Sequence, residues 1–273
     1  MIFIGTSSGA GKTTLAAMFC RYLHNQGVKV APFKGSNLSG DAFITKDGRE
    51  MGTGQAFQAL ASGLEPISDM NPVLLKTSGK GCIRLMLNGV YHSDLDNSNP
   101  MDVKNATRVA CEAFDRLNER FDIVVCEGSG SPAELNMKER DIANLGMMRE
   151  RNISAVLVGD IERGGVFAAL YGTWLLIPEE LRPNLKGFII NRFRGDPGLL
   201  GSGIERIEEL TGMKFMGIVP FVDLRFPEED ALSIPVGNMD GLDAEKVFIE
   251  NLDRFIEMSV ESGLDLEGIR QLG

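Results

Sequence analysis

A chain of 273 residues holds one large domain or two small ones, and its 43% hydrophobic and 24% charged residues are those of an ordinary globular protein. A formal charge of −10 argues against nucleic acid as a partner, because a polyanion needs a basic face to bind. No apolar run approaches the roughly 20 residues that span a bilayer, and the residues ahead of the first glycine are too few for a targeting segment, so no membrane partner and a cytoplasmic location are expected.

Residues 1–5 read as a short apolar strand. A glycine-rich loop follows, then a helix over 12–25 with Leu15, Phe19, Tyr22 and Leu23 at helical spacing. Gly27 closes that helix and 28–33 reads as a second strand. Strand, helix and strand in such a short stretch make a βαβ unit, so the sheet is at least partly parallel. The stretch 35–100 is less regular: 52–62 reads as helix, 69–76 and the glycines around Lys80 as loop and short strand, and 97–100 as a break. An amphipathic helix is expected over 103–120, with Val109, Ala113, Phe114 and Leu117 on one face. Short apolar strands follow at 121–126, 155–159, 187–191 and 215–219. Continuous apolar strands are buried on both faces, as in a parallel sheet. A final amphipathic helix is expected over 242–262, with Val247, Phe248, Leu252, Phe255 and Ile256 inward. No repeat or linker intervenes. The expectation is one α/β domain over 1–273, a mostly parallel sheet flanked by helices.

The loop Gly5-Thr6-Ser7-Ser8-Gly9-Ala10-Gly11-Lys12-Thr13-Thr14 carries the chemistry. Phosphates need many backbone N–H donors at close range, a helix N-terminus behind them and one mobile cation. Gly9, Ala10, Gly11, Lys12, Thr13 and Thr14 supply this: the Lys12 ammonium reaches the β- and γ-oxygens of ATP, and the Thr13 hydroxyl reaches Mg²⁺. The usual spacing would place the leading glycine at position 6, but Thr6 stands there and Gly5 lies one residue earlier.

In an open parallel sheet, ligands sit at the carboxyl ends of the strands. Those ends read Phe33-Lys34-Gly35-Ser36-Asn37, Cys126-Glu127-Gly128-Ser129-Gly130, Gly159-Asp160 through Arg163-Gly164-Gly165, and Asn191-Arg192-Phe193-Arg194. Glu127, an acid after an apolar strand, is a candidate Mg²⁺ carboxylate, direct or one step removed; the alternative is a cap on Gly128–Gly130. Lys34 and Arg163 stand out among the cations able to hold an anion. Asn191 offers the donor and acceptor that an adenine edge matches, with Pro220-Phe221 as a wall for the ring.

The cysteines Cys20, Cys82, Cys111 and Cys126 have no Cys-x-x-Cys spacing and read as reduced thiols. With two histidines, His24 and His92, a His-based metal cluster or a Ser-His-Asp triad is hard to build.

The glycine spacing, ending in Gly-Lys-Thr-Thr after a strand, resembles the dethiobiotin synthetase and chromosome-partitioning branch of the P-loop proteins. The extra lysine of the partitioning ATPases is replaced by Ser7. Further stretches are Ala31-Pro32-Phe33-Lys34 with Asn37, Met70-Asn71-Pro72-Val73-Leu74-Leu75-Lys76, and Glu127-Gly128-Ser129-Gly130-Ser131-Pro132-Ala133-Glu134. Others are Arg140-Asp141-Ile142, Gly159-Asp160-Ile161 through Ala168, Asn191 through Asp196, and Pro227-Glu228-Glu229-Asp230. Together they resemble the N-terminal synthetase domain of cobyric acid synthases over about residues 1–233. The resemblance implies ATP-dependent amidation of corrinoid or related tetrapyrrole carboxylates, through an acyl phosphate attacked by ammonia.

That family also carries a glutaminase domain with a nucleophilic Cys and a His. Here no His lies beyond His92 and no Cys beyond Cys126, so the expectation is free ammonia or a separate glutaminase subunit. The family's Gln-Asn-Met-Ser-Leu-Asn-Ser reads Ser36-Asn37-Leu38-Ser39-Gly40-Asp41-Ala42, which places a carboxylate, Asp41, near the expected metal and substrate. Thr13, Asn37, Asp41 and Glu127 are thus the candidate metal residues, and Lys12, Lys34, Glu127 and Arg163 the candidate catalytic ones. A homodimer is left open. Two rival readings are a dethiobiotin-synthetase-like carboxylate-activating ligase and a nucleotide-switched regulatory ATPase.

Overall fold

The computed structural model describes residues 1–77, 83–222 and 244–272. The first half runs β1 (Ile2–Gly5), α1 (Lys12–Asn25), β2 (Val30–Phe33), β3 (Ser36–Ser39), β4 (Phe43–Ile44), β5 (Glu50–Met51), α2 (Thr53–Ala61), β6 (Val73–Thr77), β7 (Ile83–Leu87), β8 (Val90–Leu95) and α3 (Val103–Asn118). The second half runs β9 (Ile123–Glu127), α4 (Met147–Arg151), β10 (Ala155–Asp160), α5 (Val166–Leu176), β11 (Leu185–Phe193), α6 (Gly201–Thr211), β12 (Lys214–Pro220), α7 (Ala244–Glu261) and α8 (Leu266–Arg270).

The main sheet has the order β12-β11-β10-β1-β9-β2, and every pairing in it is parallel. Side chains alternate across each strand. Ile2 and Ile4 therefore enter one buried cluster, with Ala110, Leu117 and Leu170, while Phe3 enters the other, with Leu15, Phe19, Phe248 and Leu252. Both faces are covered by helices, which is why the strands read as unbroken apolar runs. Because all six run the same way, the C-terminal ends of β1, β2, β9, β10, β11 and β12 lie along one edge.

A second sheet has the order β3-β6-β7-β8, with β3 parallel to β6 and the other pairs antiparallel. The loop-and-short-strand expectation for 69–76 is met: a turn at 68–70 leads into β6, which pairs with β3 on one side and β7 on the other. The hairpin of β7 and β8 turns at Asn88 and Gly89, which have φ of 49° and 76°. Asn-Gly with both residues left-handed matches the strand twist and closes a tight hairpin. Val247, expected inward on the last helix, is 45% exposed, whereas Phe248, Leu252 and Phe255 are buried. The first positions expected for that helix lie outside the described residues, as do Lys80, Cys82 and Pro227-Glu228-Glu229-Asp230.

Helix α7 is tied to α1 by charge as well as by packing. Arg21 Nε and Nη2 donate to the two Asp253 carboxylate oxygens at 2.8 and 2.9 Å, and Asn25 Nδ2 adds a third bond at 2.9 Å. The Arg21 bonds, against a smaller opposing push from burial and with help from Asn25, hold the Asp253 carboxyl below its usual range. A carboxylate with a depressed folded pKa stabilises above its unfolded value, here 3.8, and loses that contribution as pH falls through the folded value. Asp253→Asn is expected to cost about 1 kcal/mol near neutral pH. Urea unfolding across a pH series measures the gap between parent and variant. It should close in acid below 3.8, and a gap of constant size would remove charge as its cause.

Candidate functional site

The loop between β1 and α1 wraps as its glycines allow. Gly9 and Gly11 have φ of 71° and 97°, a region that side chains disfavour. At Gly11 the restriction is also steric: a Cβ would stand 2.1 Å from Asn191 Nδ2. Helix α1 starts without a side-chain cap or an acid in its first turn. Its first N–H groups and the positive end of its dipole therefore face the loop, an arrangement suited to an anion.

The Lys12 ammonium folds back along the loop. It donates to Ser7 O at 3.1 Å and to Gly130 O, in the segment after β9, at 2.8 Å. Carbonyls are weak partners for an ammonium, and phosphate oxygens would replace them favourably.

The centre of the site is Glu127, which is 1% exposed at the end of β9. Oε1 accepts from Thr13 Oγ1 at 2.7 Å and from Lys34 Nζ at 3.1 Å. Oε2 accepts from Gln58 Nε2 at 2.7 Å and from Gln55 Nε2 at 3.2 Å. Burial pushes the Glu127 carboxyl upward, but the Lys34 ammonium, the Thr13 and Gln58 bonds and the nearby Lys12 charge outweigh it and hold the carboxyl below the usual range. Glu127 is therefore an ionised acid inside the protein. A carboxylate has about four lone-pair positions, and four donors occupy them. Glu127 thus acts on Thr13 rather than as a cap for Gly128–Gly130. Because the Thr13 hydroxyl gives its proton to Glu127, its lone pairs are left for a cation.

The segment after β9 is held by a π-helical turn at Ile142–Gly146. Asp141 caps it through Asn144 N at 2.8 Å, and Asn144 Nδ2 donates to Ser129 O at 2.7 Å. A Cβ on Gly128 would lie 1.9 Å from Asn144 Oδ1, so glycine is required for the close approach. Burial raises the Asp141 carboxyl above its usual range, against the opposing pull of its hydrogen bonds to Asn144 and Leu145.

Asn191, the residue expected to meet the adenine edge, bonds the phosphate loop in this structure. Its Nδ2 donates to Ala10 O at 2.8 Å and its Oδ1 accepts from Arg192 N at 2.9 Å. Both ends of the amide hold protein backbone, so the residue braces the phosphate loop. The left-handed backbone of Arg192, φ 61°, accompanies this turn, and its guanidinium pairs with Asp160 at 2.8 Å. Pro220 sits beside Phe193 at the end of β12, and the Arg194 guanidinium lies 3.3 Å from the centre of the adjoining Phe221 ring.

Asn37 is buried on β3, and Asp41 lies on the exposed turn beyond that strand. Arg163 is exposed on the loop between β10 and α5. The structure thus joins Thr13, Lys34 and Glu127 through direct bonds, holds Lys12 nearby on the Ser7 and Gly130 carbonyls, and places Asp41 and Arg163 at the surface. The sequence reading overlooked Gln55, Gln58 and Asn144. For the two glutamines a signal was present: a polar pair three apart on the apolar face of a short helix.

Among the described residues no three His, Cys, Asp or Glu side chains gather to hold a metal. Mg²⁺ is commonly held by one or two protein groups together with phosphate oxygens, and the hard oxygen of Thr13 beside the α1 N-terminus fits that mode.

A parallel sheet with a glycine loop after a central strand, an uncapped helix behind it, and Lys-Thr at the helix start define a P-loop nucleotide-binding fold. Residues 1–233 match the family model described as CobQ/CobB/MinD/ParA nucleotide binding domain, and the chain belongs to that family. It is 48% identical over 237 residues to a "Probable cobyric acid synthase" of Methanoculleus marisnigri, covering 86% of this chain and 48% of that protein. A protein of the same description from Archaeoglobus fulgidus is 46% identical over 239 residues, covering 87% and 52%. The chain spans about half the length of these relatives. Among solved structures, the cell division ATPase MinD of Pyrococcus furiosus superposes with a TM-score of 0.43 at 20% identity, covering 94% of this chain and 97% of MinD. No helix among the described residues is long and apolar enough to cross a membrane.

The packing at Gly128 yields a direct check. Gly128→Ala should push Asn144 off Ser129 and cost about 1–3 kcal/mol, read as a lower thermal midpoint. In the Asn144→Ala background the same change should cost clearly less, since the atom it strikes is gone. Equal costs in both backgrounds would show that the two residues do not meet.

Proposed function

We propose that this chain is the synthetase part of a cobyric acid synthase-like ligase. It binds ATP with Mg²⁺ and amidates side-chain carboxylates of a corrinoid or related tetrapyrrole. The observation that carries this reading is the gathering of the Lys12 and Lys34 ammonium groups around ionised Glu127, beside the N-terminus of α1. The family membership and the cobyric acid synthase relatives support the same reaction class.

In this reading a substrate carboxylate oxygen attacks the γ-phosphorus. The bond to the β–γ bridging oxygen breaks, ADP leaves and an acyl phosphate forms. The lone pair of ammonia then adds to the acyl carbon, a proton is lost, and phosphate departs to leave the amide. Mg²⁺, when bound, neutralises phosphate oxygens and stabilises the transferring group. Lys12 exchanges the Ser7 and Gly130 carbonyls for the β- and γ-oxygens. The α1 N–H groups and the Gly9–Gly11 backbone hold the remaining phosphate oxygens. Lys34, fixed by Glu127, presents a cation at the end of β2 toward the γ-phosphoryl and the acid that receives it. Arg163, exposed on its glycine loop, binds other carboxylates of the substrate. Pro220 and Phe221 border the base.

The nitrogen comes as ammonia, from solution or from a separate glutaminase subunit. Glutamine hydrolysis needs a thiolate, and burial pushes the Cys20 thiol up to about 12 and the Cys126 thiol up to about 11. Burial raises Cys111 as well. None of these is poised as a nucleophile.

Two expectations follow from this chemistry. Lys12→Ala should lower ATP turnover about a hundredfold or more with an unchanged circular dichroism spectrum, and normal turnover would defeat the phosphate-loop assignment. With a corrinoid acid, ATP and Mg²⁺, the purified chain should form amide from ammonium salts, with yield rising steeply from neutral to mildly alkaline pH as free ammonia increases. Given glutamine instead, it should release no glutamate. Appreciable release would mean a second active site and a different assignment of the ligase chemistry.

A further inference from the structure

Helix α2 carries two glutamines, Gln55 and Gln58, both 0% exposed. Their spacing of three puts them on one face of the helix. Each donates its Nε2 to the same carboxylate oxygen, Glu127 Oε2, at 3.2 and 2.7 Å. Gln58 Nε2 also reaches Thr13 O at 3.2 Å. The amide orientations follow from the partners, since a carboxylate and a carbonyl only accept.

The other end of each amide is unusual. Neither Gln55 Oε1 nor Gln58 Oε1 finds a donor among the described residues. A buried acceptor without a donor is destabilising. Met or Leu at either position would fill a similar volume without that loss. Ala56, Ala59 and Ala61 of the same helix are buried too, so α2 is otherwise covered by small apolar side chains at its buried positions. Both glutamines thus carry a stability cost, and what they supply in return is directed at Glu127 and Thr13.

We propose that Gln55 and Gln58 are positioning residues of the nucleotide site: they hold the Glu127 carboxylate in the orientation that takes the Thr13 hydroxyl proton, and so aim the hydroxyl lone pairs at the metal that accompanies ATP. Gln58 does this from two sides, through the Thr13 carbonyl and through Glu127. Gln55 ties the same carboxylate to the neighbourhood of the second sheet. Its Oε1, Asn37 Nδ2 and Asn71 Oδ1 lie 2.6, 2.7 and 2.9 Å from where a Cβ on Gly52 would stand. Asn71 in turn accepts from Gly52 N at 2.8 Å and donates to Lys34 O at 2.9 Å. Helix α2 is therefore the element through which Lys34, Glu127 and Thr13 share one orientation. The proposal rests on the reading of the loop as an ATP–Mg²⁺ site, and it assigns the metal dependence of that site to residues that touch neither metal nor phosphate.

The test measures binding of a ribose-labelled fluorescent ATP analogue to the full chain, in EDTA and across a Mg²⁺ titration. Thermal unfolding is followed in parallel. The variants are Gln58→Met, Gln55→Met and the double substitution. Metal-free affinity should stay within about twofold of the parent, because the loop N–H groups and Lys12 are untouched, while the strengthening of binding by Mg²⁺ should fall about tenfold in Gln58→Met. Gln55→Met, which leaves both Gln58 bonds in place, should show a smaller fall and provides the reading if Gln58→Met does not fold. In a Thr13→Ala background Gln58→Met should cause no further loss, since its effect runs through the Thr13 hydroxyl. Parent-like strengthening by Mg²⁺ in folded variants would overturn the proposal. So would an equal loss of affinity with and without metal, the signature of a structural role alone. If the parent chain binds no nucleotide, the ATP reading itself fails, an outcome distinct from both.

Discussion

One buried negative charge organises the ligand edge of this molecule. Moving a carboxylate out of water is costly unless it is paired and fully hydrogen-bonded. Glu127, carried by β9, meets that demand with four donors from three segments: Thr13 at the start of α1, Lys34 after β2, and Gln55 and Gln58 on α2. These elements are far apart in sequence, yet none can shift without leaving a polar group unmatched. Removing one member of such a buried pair typically costs about 3–5 kcal/mol. The carboxylate is thus as much a constraint on the fold as a component of the site.

The parallel sheet supplies the place where this can occur. With every strand of the main sheet running one way, the ends of β1, β2 and β9 open side by side, and the phosphate loop, Lys34 and Glu127 come within bonding distance. The segments that follow β1 and β9 are braced by neutral amides. Asn191 holds the carbonyl of Ala10, and Asn144 holds the carbonyl of Ser129. In both cases the amide packs against a glycine, Gly11 or Gly128, where a Cβ would collide with it. The division is chemical. Charged groups lie beside the phosphate loop, and amides, which add no net charge, fix the backbone that carries those groups.

Much of this was legible in the chain order of residues. The alternation of apolar strands with amphipathic helices gives a parallel sheet, because both faces of each strand must be covered. The spacing of Gly9, Gly11, Lys12 and Thr13 gives the phosphate loop, because its geometry is local: each glycine answers a backbone angle within a few residues. Lys34 and Glu127 were readable as strand-end residues because a parallel sheet makes such ends meet. The hairpin of β7 and β8, closed by Asn88-Gly89, was not read from the sequence, and neither was its pairing with β3 through β6.

What required the folded chain was the partnership of residues distant in sequence. Asn191 as a strand-end amide suits an adenine edge and a backbone carbonyl equally well, and only the fold shows that it also holds the Ala10 carbonyl, because β11 lies two strands from β1 and Gly11 has no side chain to keep the amide away. Gln55 and Gln58 are polar residues on an apolar helix face, a pattern that fits a stray surface position until α2 packs over Glu127. Asp41 and Arg163 have the residue types of a site but stand on exposed turns. Local spacing specifies backbone geometry and element type, because those energies act over a few residues. The pairing of buried polar groups is settled by which elements the sheet order brings together, and that order is a property of the whole chain.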